Sequence, residues 1–82
     1  MNKIQKLLRA FNSEIFYKIL KISELTDEET IIIRNFLLRK IRRDDICKQL
    51  HISRSTFQNI KQRALAKIER SLNFSLDKMI TQ

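Results

Sequence analysis

Apolar residues recur every three or four positions along the first part of the chain, a spacing typical of an amphipathic helix. Over residues 2–22 this stripe consists of Ile4, Leu8, Phe11, Ile15, Ile19 and Ile22. Asn12 and Ser13 interrupt it, and both residue types favour helix caps because their side chains compete for backbone hydrogen bonds. We therefore weigh one helix over residues 2–22 against two helices that meet at Asn12, and we favour the single helix.

The next segment begins with a clear signal for a helix start. Thr26 and Glu29 have the spacing of a capping box, and Asp27 and Glu28 add negative charge at the positive end of the helix dipole. Apolar residues are too numerous here for a single stripe, namely Ile31, Ile32, Ile33, Phe36, Leu37 and Leu38. The pattern predicts a helix at the centre of the core that ends near Arg39.

Two further helices follow, joined by a short link. Asp44 and Asp45 begin a short third helix, and Ser53 is a favourable N-cap for a fourth. The inward residues of the third helix are Ile46, Cys47 and Leu50, and those of the fourth are Phe57, Ile60, Ala64, Leu65, Ile68 and Leu72. We expect the fourth helix to end at Asn73 or Ser75.

The link between these two helices needs a left-handed residue at its first position, where Gly is usual. The chain contains no Gly and no Pro, and His51 occupies this position. Histidine is one of the non-Gly residues enriched at positive φ, so we interpret His51 as a turn residue or phosphate neighbour rather than a catalytic base. Because β-hairpins usually need Gly, the patterns together predict an all-α fold of four to five helices with a C-terminal helix-turn-helix.

These elements divide the chain into three parts. We predict that residues 1–24 form an amphipathic helix for dimerisation or for the core, that residues 25–72 form the helix-turn-helix domain, and that residues 73–82 form a tail. The dimer or partner surface consists of Ile4, Leu8, Phe11, Ile15 and Ile19. Residues 2–22 also contain Leu7, Phe16, Leu20 and Ile22. Because one side of one helix cannot readily bury all nine apolar residues, we favour a homodimer over a helix that covers its own domain.

The charge of the chain favours a polyanionic partner. The net charge is +8, and residues 51–72 alone contribute +4. The single cysteine, Cys47, cannot form an internal disulfide, and we expect it to pack in the core. No spacing of Asp, His, Ser or Cys predicts a catalytic or metal site. The N-terminus is too charged for a secretory or membrane-spanning segment, so we expect a cytoplasmic, non-enzymatic protein with no cofactor and no membrane contact.

The fourth helix has side chains of the types that contact bases in the major groove of DNA. At about 100° per residue, its polar residues fall on one side and its apolar residues on the other. The expected base contacts are Arg54, Ser55, Gln58, Asn59 and Gln62. Arg can pair with guanine in the major groove, and Asn and Gln can pair with adenine. The expected phosphate contacts are Arg42, Arg43, Lys61, Arg63 and Lys67.

From Leu25 to Ile68 the chain resembles the promoter-recognition domain, region four, of bacterial sigma factors. The resemblance depends on LTDEE, on DDIC and QLHIS in the short helix and link, and on ISRSTFQNIKQRALAKI. LuxR-type regulators share the opening LT, the turn and the Ser-x-x-Thr-apolar start of the recognition helix, so they are the second choice. The run RALAKI favours the sigma factors.

The resemblance implies contacts to a −35-type promoter element by Arg54, Ser55, Gln58 and Asn59, and docking on RNA polymerase. The chain has Lys40-Ile41-Arg42 where the family often has Gly-Leu-Ser, which removes a helix-terminating glycine and an N-cap serine. We expect that 82 residues leave no room for the sigma domain that melts the promoter.

The sequence thus favours a transcription regulator that binds double-stranded DNA at specific sequences in bacterial or phage promoters. The alternative is an RNA polymerase-binding module, or a split-sigma subunit, whose DNA contact depends on polymerase.

Overall fold

The described part of the protein is all-α. The computed structural model describes residues 3–10 and 12–80, with the side chains of residues 5, 6, 8–10 and 12–73. It is 82% helical, with five helices and no strands in these ranges, and the all-α prediction is confirmed. The helices are α1 (Lys3–Ala10), α2 (Ser13–Ile22), α3 (Asp27–Ile33), α4 (Arg43–Leu50) and α5 (Arg54–Ile80). A π-helical turn, Arg34–Leu38, continues α3.

The N-terminal segment forms two helices, so the favoured single helix is wrong and the alternative is correct. Asn12 has an extended backbone (φ −73°, ψ 168°) and caps α2, because its Oδ1 accepts a hydrogen bond from the N–H of Ile15 at 2.9 Å. The competition of this side chain for backbone donors therefore outweighs the continuity of the apolar stripe.

The capping box predicted for α3 is confirmed. The Thr26 N–H donates to Glu29 Oε1 at 2.8 Å, and the Glu29 N–H donates to Thr26 Oγ1 at 3.2 Å. The helix widens in the π turn, where the Arg39 N–H donates to the Arg34 carbonyl at 3.0 Å. It ends near Arg39 as predicted, and Lys40 then takes a left-handed conformation at φ 57°.

The link between α4 and α5 follows the prediction, whereas the end of α5 does not. His51 is left-handed (φ 56°, ψ 45°), and Ser53 Oγ accepts the Thr56 N–H at 3.1 Å as an N-cap. The predicted end of α5 at Asn73 or Ser75 is wrong, because the helix continues to Ile80. Asn and Ser lower helix propensity only slightly, and no Gly or Pro is present to stop the helix.

The core consists of two adjacent clusters that α3 and α5 share. The first joins α1 and α2 to α3, the π turn and α5; its buried residues are Leu8, Phe16, Ile19, Leu20, Ile33, Leu37, Ala64, Leu65 and Ile68. The second lies between α3, α4 and α5 and contains Ile32, Ile46, Cys47, Phe57 and Ile60. Phe36 packs against both clusters, and Cys47 is buried as expected.

The N-terminal helices therefore contribute to the core of the chain itself. Leu8 and Ile19 are only 1% and 6% exposed, so the expectation that they form a dimer or partner surface is corrected. Ile15 remains 42% exposed. The side chain of Ile4 and the whole of Phe11, which belong to the same expectation, lie outside the described residues. The prediction failed because the apolar residues of α1 and α2 pack against α3, the π turn and α5 in the first core cluster.

In the ranges described, none of the helices combines the length and the apolar character needed to cross a membrane.

Candidate nucleic-acid interface

The packing of α4 on α5 fixes the start of α5. Ile46 and Cys47 of α4 lie against Phe57 and Ile60 of α5 in the second core cluster. In the turn, the Ile52 N–H donates to the Cys47 carbonyl at 3.0 Å, which satisfies a carbonyl at the end of α4. The first turns of α5 are therefore held in one orientation relative to α4.

The exposed face of α5 is polar over its first turns. All five side chains predicted to contact bases are exposed: Arg54, Ser55, Gln58, Asn59 and Gln62. The opposite side is buried through Phe57, Ile60 and Ala64. The predicted division of the helix into a polar and an apolar side is thus present in the structure. No Asp or Glu occurs in α5 before Glu69.

This open face, residues 54–62, has a defined end. Leu65 lies between Arg54 and Gln58 in angle around the helix axis, yet it is 4% exposed because the first core cluster covers it. Farther along, Ser71 Oγ donates to the Ile22 carbonyl of α2 at 3.5 Å. The N-terminal helices therefore limit the open face to nine residues, a length of about 13 Å.

Arg54, the first residue of α5, forms a side-on pair with Asp44 of α4. Its Nε donates to Asp44 Oδ1 at 3.0 Å and its Nη2 donates to Oδ2 at 3.1 Å. Hydrogen bonds from Arg54, with added charge from Arg43, hold the pKa of Asp44 below its ordinary value. Nη1 has no hydrogen-bond partner among the described residues, so the outer edge of the guanidinium group remains accessible.

Three of the predicted phosphate contacts lie together beside the open face. Arg42, Arg43 and Lys61 line a cavity that also includes Gln58. The Lys61 ammonium group lies 5.2 Å from the ring centroid of Phe36. Burial, together with the positive charges of Arg43 and Arg9, lowers the pKa of Lys61. Arg63, the fourth predicted contact, is an exposed residue of α5.

Lys67, the fifth predicted phosphate contact, is placed differently from the other four, because it pairs with a buried carboxylate. Its ammonium group donates to Glu29 Oε1 at 2.7 Å, and the Glu29 side chain is only 5% exposed. Burial raises the pKa of Glu29, but hydrogen bonds from Lys67 and Thr26 outweigh this effect and leave the pKa below its ordinary value. Lys67 therefore neutralises the capping box of α3. The pair was missed because its members are 38 positions apart.

Sequence reasoning also missed three residues that shape this surface. Asp44 is a helix-start residue in the local pattern, and nothing local indicates its pairing with Arg54. Arg9 of α1 and Phe36 of the π turn meet in space, with the Arg9 guanidinium carbon 5.9 Å from the ring centroid. Only the tertiary packing brings these residues to the predicted phosphate contacts.

The candidate interface consists of the polar face of α5 and the cations beside it. In the described part of the chain, no group of three or more His, Cys, Asp or Glu residues could hold a metal ion. Comparison of the chain with known protein families, with curated proteins and with solved structures finds no match. The function is therefore inferred from the residues themselves.

Proposed function

We propose that this protein is a non-enzymatic cytoplasmic regulator of transcription that binds double-stranded DNA at specific promoter sequences. In this proposal α4 and α5 form a helix-turn-helix, and α5 lies in the major groove as its recognition helix. The observation that carries the proposal is the open face of α5. It presents five polar side chains and no carboxylate, on a helix whose opposite side is firmly packed.

The residue types on this face suit base recognition. Asp44 takes the Nε side of the Arg54 guanidinium group, and the outer edge can still donate two hydrogen bonds to guanine O6 and N7. Gln58 and Asn59 can each donate to and accept from adenine. Flanking cations add affinity through phosphate contacts that do not depend on sequence.

The resemblance to sigma factor region four adds a target class, a −35-type promoter element. The left-handed Lys40 supports this alignment, because it takes the conformation favoured by the glycine that the family often has there. Arg42, aligned with the serine of the family, is the N-cap residue of α4. The backbone at Lys40 and Arg42 is therefore compatible with that motif, although neither is the residue usual in the family.

A second candidate is the RNA polymerase-binding module. It is favoured by exposed apolar side chains on α2, since Ile15, Tyr17 and Ile22 are 42%, 45% and 52% exposed. A partner protein could cover this surface. A second copy of the chain is the simplest partner, but the burial of Leu8 and Ile19 leaves a small surface for a homodimer. Light scattering at micromolar concentration distinguishes a monomer from a dimer.

The test begins with selection of a duplex from a random-sequence library by the wild-type chain. We expect Arg54→Ala or Gln58→Ala to cost about 1–3 kcal/mol of binding free energy on the selected duplex and much less on random duplex. Arg70→Ala is the matched control, because Arg70 is an exposed cation of α5 beyond the open face. This variant should weaken binding to both duplexes slightly and equally.

Two results would contradict the proposal. Equal losses on selected and random duplex for Arg54→Ala and Gln58→Ala would show that this face does not contact bases. Selection that succeeds only when RNA polymerase is added would replace the proposal with the second candidate.

A further inference from the structure

Five cations from separate parts of the chain surround the exposed edge of Phe36. They are Arg9 of α1, Lys40, Arg42 and Arg43 around the start of α4, and Lys61 of α5. We call this group the Phe36 cluster. Two open cavities of about 320 and 400 Å³ lie within it and share Phe36 and Arg42 as lining residues.

The positive charge of the Phe36 cluster is not balanced by the described residues around it. Among the described residues, Asp44 is the only carboxylate that lines either cavity. Arg54 donates to both of its oxygens, and Arg43 Nε lies 3.6 Å from Oδ1, so this single carboxylate is shared by two cations and leaves the other four cations of the cluster unpaired by it. The cations at Arg9 and Lys61 lie over the ring of Phe36, which attracts them but does not neutralise them. Like charges held this closely favour an anion between them.

The start of α4 adds hydrogen-bond donors to the same place. Arg42 is the N-cap residue of α4, but its side chain makes no capping hydrogen bond. The N–H groups of the first helical turn therefore remain open to an external acceptor, and Arg43 and Asp44 of that turn line the cavity. The negative charge of Asp44 repels an anion at this place, but its pairing with Arg54 weakens the repulsion.

We propose that the Phe36 cluster binds phosphate groups of one DNA strand beside the major groove, and that Arg9 makes α1 part of the DNA interface. This inference rests on the proposed function. Gln58, a predicted base contact on the open face, also lines the cavity of Arg42, Arg43 and Lys61. A strand whose bases meet Gln58 therefore places its phosphates at the cluster. The open shape of both cavities suits a backbone that passes along the surface.

The salt dependence of DNA binding tests the role of Arg9. The full chain and its variants are titrated with random and selected duplexes at several salt concentrations, with fluorescence anisotropy as the measurement. Because each neutralised phosphate releases about 0.9 counterion, Arg9→Gln should reduce the slope of log K against log salt by about 1 on both duplexes. Arg9→Lys keeps the charge and should keep the slope.

Lys21→Gln is the matched control, because Lys21 is an exposed cation of α2 that does not line either cavity. It should leave the slope unchanged. Circular dichroism confirms that each variant is folded. If the wild type binds DNA and Arg9→Gln keeps its slope, the inference is wrong while the proposed function stands.

Titration with sodium tripolyphosphate separates a DNA backbone from a free phosphate compound as the source of the anion. We expect binding at millimolar concentration only, weakened by Lys61→Met. Micromolar binding of tripolyphosphate by a chain that does not bind DNA would overturn both the DNA assignment and the proposed function. Failure to bind either probe would overturn the site itself.

Discussion

Two cations of α5, Arg54 and Lys67, each form an ion pair with a carboxylate of another helix, but the two pairs differ in exposure. At the start of the helix, Arg54 and Asp44 are 68% and 51% exposed at their side chains. Thirteen residues later, the side chain of Lys67 is 38% exposed, but that of its partner Glu29 is only 5% exposed and also caps α3. The first pair is accessible to a ligand, whereas the second connects α5 to the core.

This difference shows that residue type alone does not assign a basic side chain to DNA. Both cations lie on the most basic part of the chain and fit a phosphate or base contact in sequence. An exposed pair contributes little to the free energy of unfolding, so the fold does not depend on Arg54, and its outer edge is open to a ligand. A buried carboxylate without a cation beside it destabilises the fold, so the Glu29 carboxylate requires Lys67 at its side. The burial of the partner therefore decides the role.

The largest effect on stability is expected from removing the buried pair. Lys67→Met keeps the aliphatic volume but leaves Glu29 without its cation, and it should lower the free energy of unfolding by about 1.5–3 kcal/mol. The partial exposure of Lys67 keeps the effect within this range. Urea unfolding measures it. Arg70→Met, at an exposed cation one turn later, is the control and should change stability by less than about 0.5 kcal/mol. Equal losses for the two variants would remove the contrast between the two pairs.

The pH dependence of stability sharpens the same contrast. The pKa of Glu29 is lower in the folded chain than its ordinary value of 4.5, so its stabilising contribution is complete above that pH and is lost as the pH falls through the folded pKa. Glu29→Gln should be less stable than the wild type by about 1 kcal/mol at pH 7.

The difference in stability between the wild type and Glu29→Gln should become smaller as the pH falls below 4.5. Thermal unfolding at each pH measures it. Glu28→Gln removes an exposed neighbouring carboxylate and controls for the change in net charge. A gap that stays constant with pH would show that ionisation of Glu29 does not stabilise the fold.

The exposed pair should affect selectivity more than stability. Asp44→Ala removes a negative charge beside the proposed DNA interface, so binding to random duplex should strengthen. It also releases Arg54 from its fixed orientation, so the ratio of selected to random affinity should fall roughly fivefold. Asp45→Ala is the control, because Asp45 carries the same charge but does not pair with Arg54. It should strengthen binding to both duplexes and leave the ratio of selected to random affinity unchanged. The same ratio for both variants would contradict an orienting role for Asp44.

The smallest effect concerns the turn that leads to the exposed pair. The left-handed conformation of His51 is strained, whereas Gly adopts it freely. His51→Gly should therefore raise the free energy of unfolding by roughly 0.5–1 kcal/mol. Glu24→Gly, at another left-handed position (φ 52°), should give a similar gain far from α5's open face. Chemical denaturation compares the two. A loss of stability at either site would show that the side chain outweighs the backbone strain.

Local features of the fold could be predicted because they depend on neighbouring residues. The capping box at Thr26, the N-cap at Ser53 and the left-handed His51 each follow from residue types within one helical turn. The polar face of α5 follows from helical periodicity alone. These features determine which side of α5 is polar and exposed.

Features that depend on distant contacts could not be predicted. The pairs Arg54–Asp44 and Lys67–Glu29 join residues that are 10 and 38 positions apart. The burial of Leu8 and Ile19 depends on how α1 and α2 pack on the core. The π turn has no local signal. The missing information is the relative position of helices, which periodicity does not contain.

The most direct test of the central claim is NMR titration of the full chain with the selected duplex. The account predicts that the largest amide shifts fall on the open face, residues 54–62, with smaller shifts at Arg9 and Arg42. Lys67 should keep its contact with Glu29 and shift little. Shifts confined to α2 around Ile15 and Ile22, with residues 54–62 unchanged, would contradict the account.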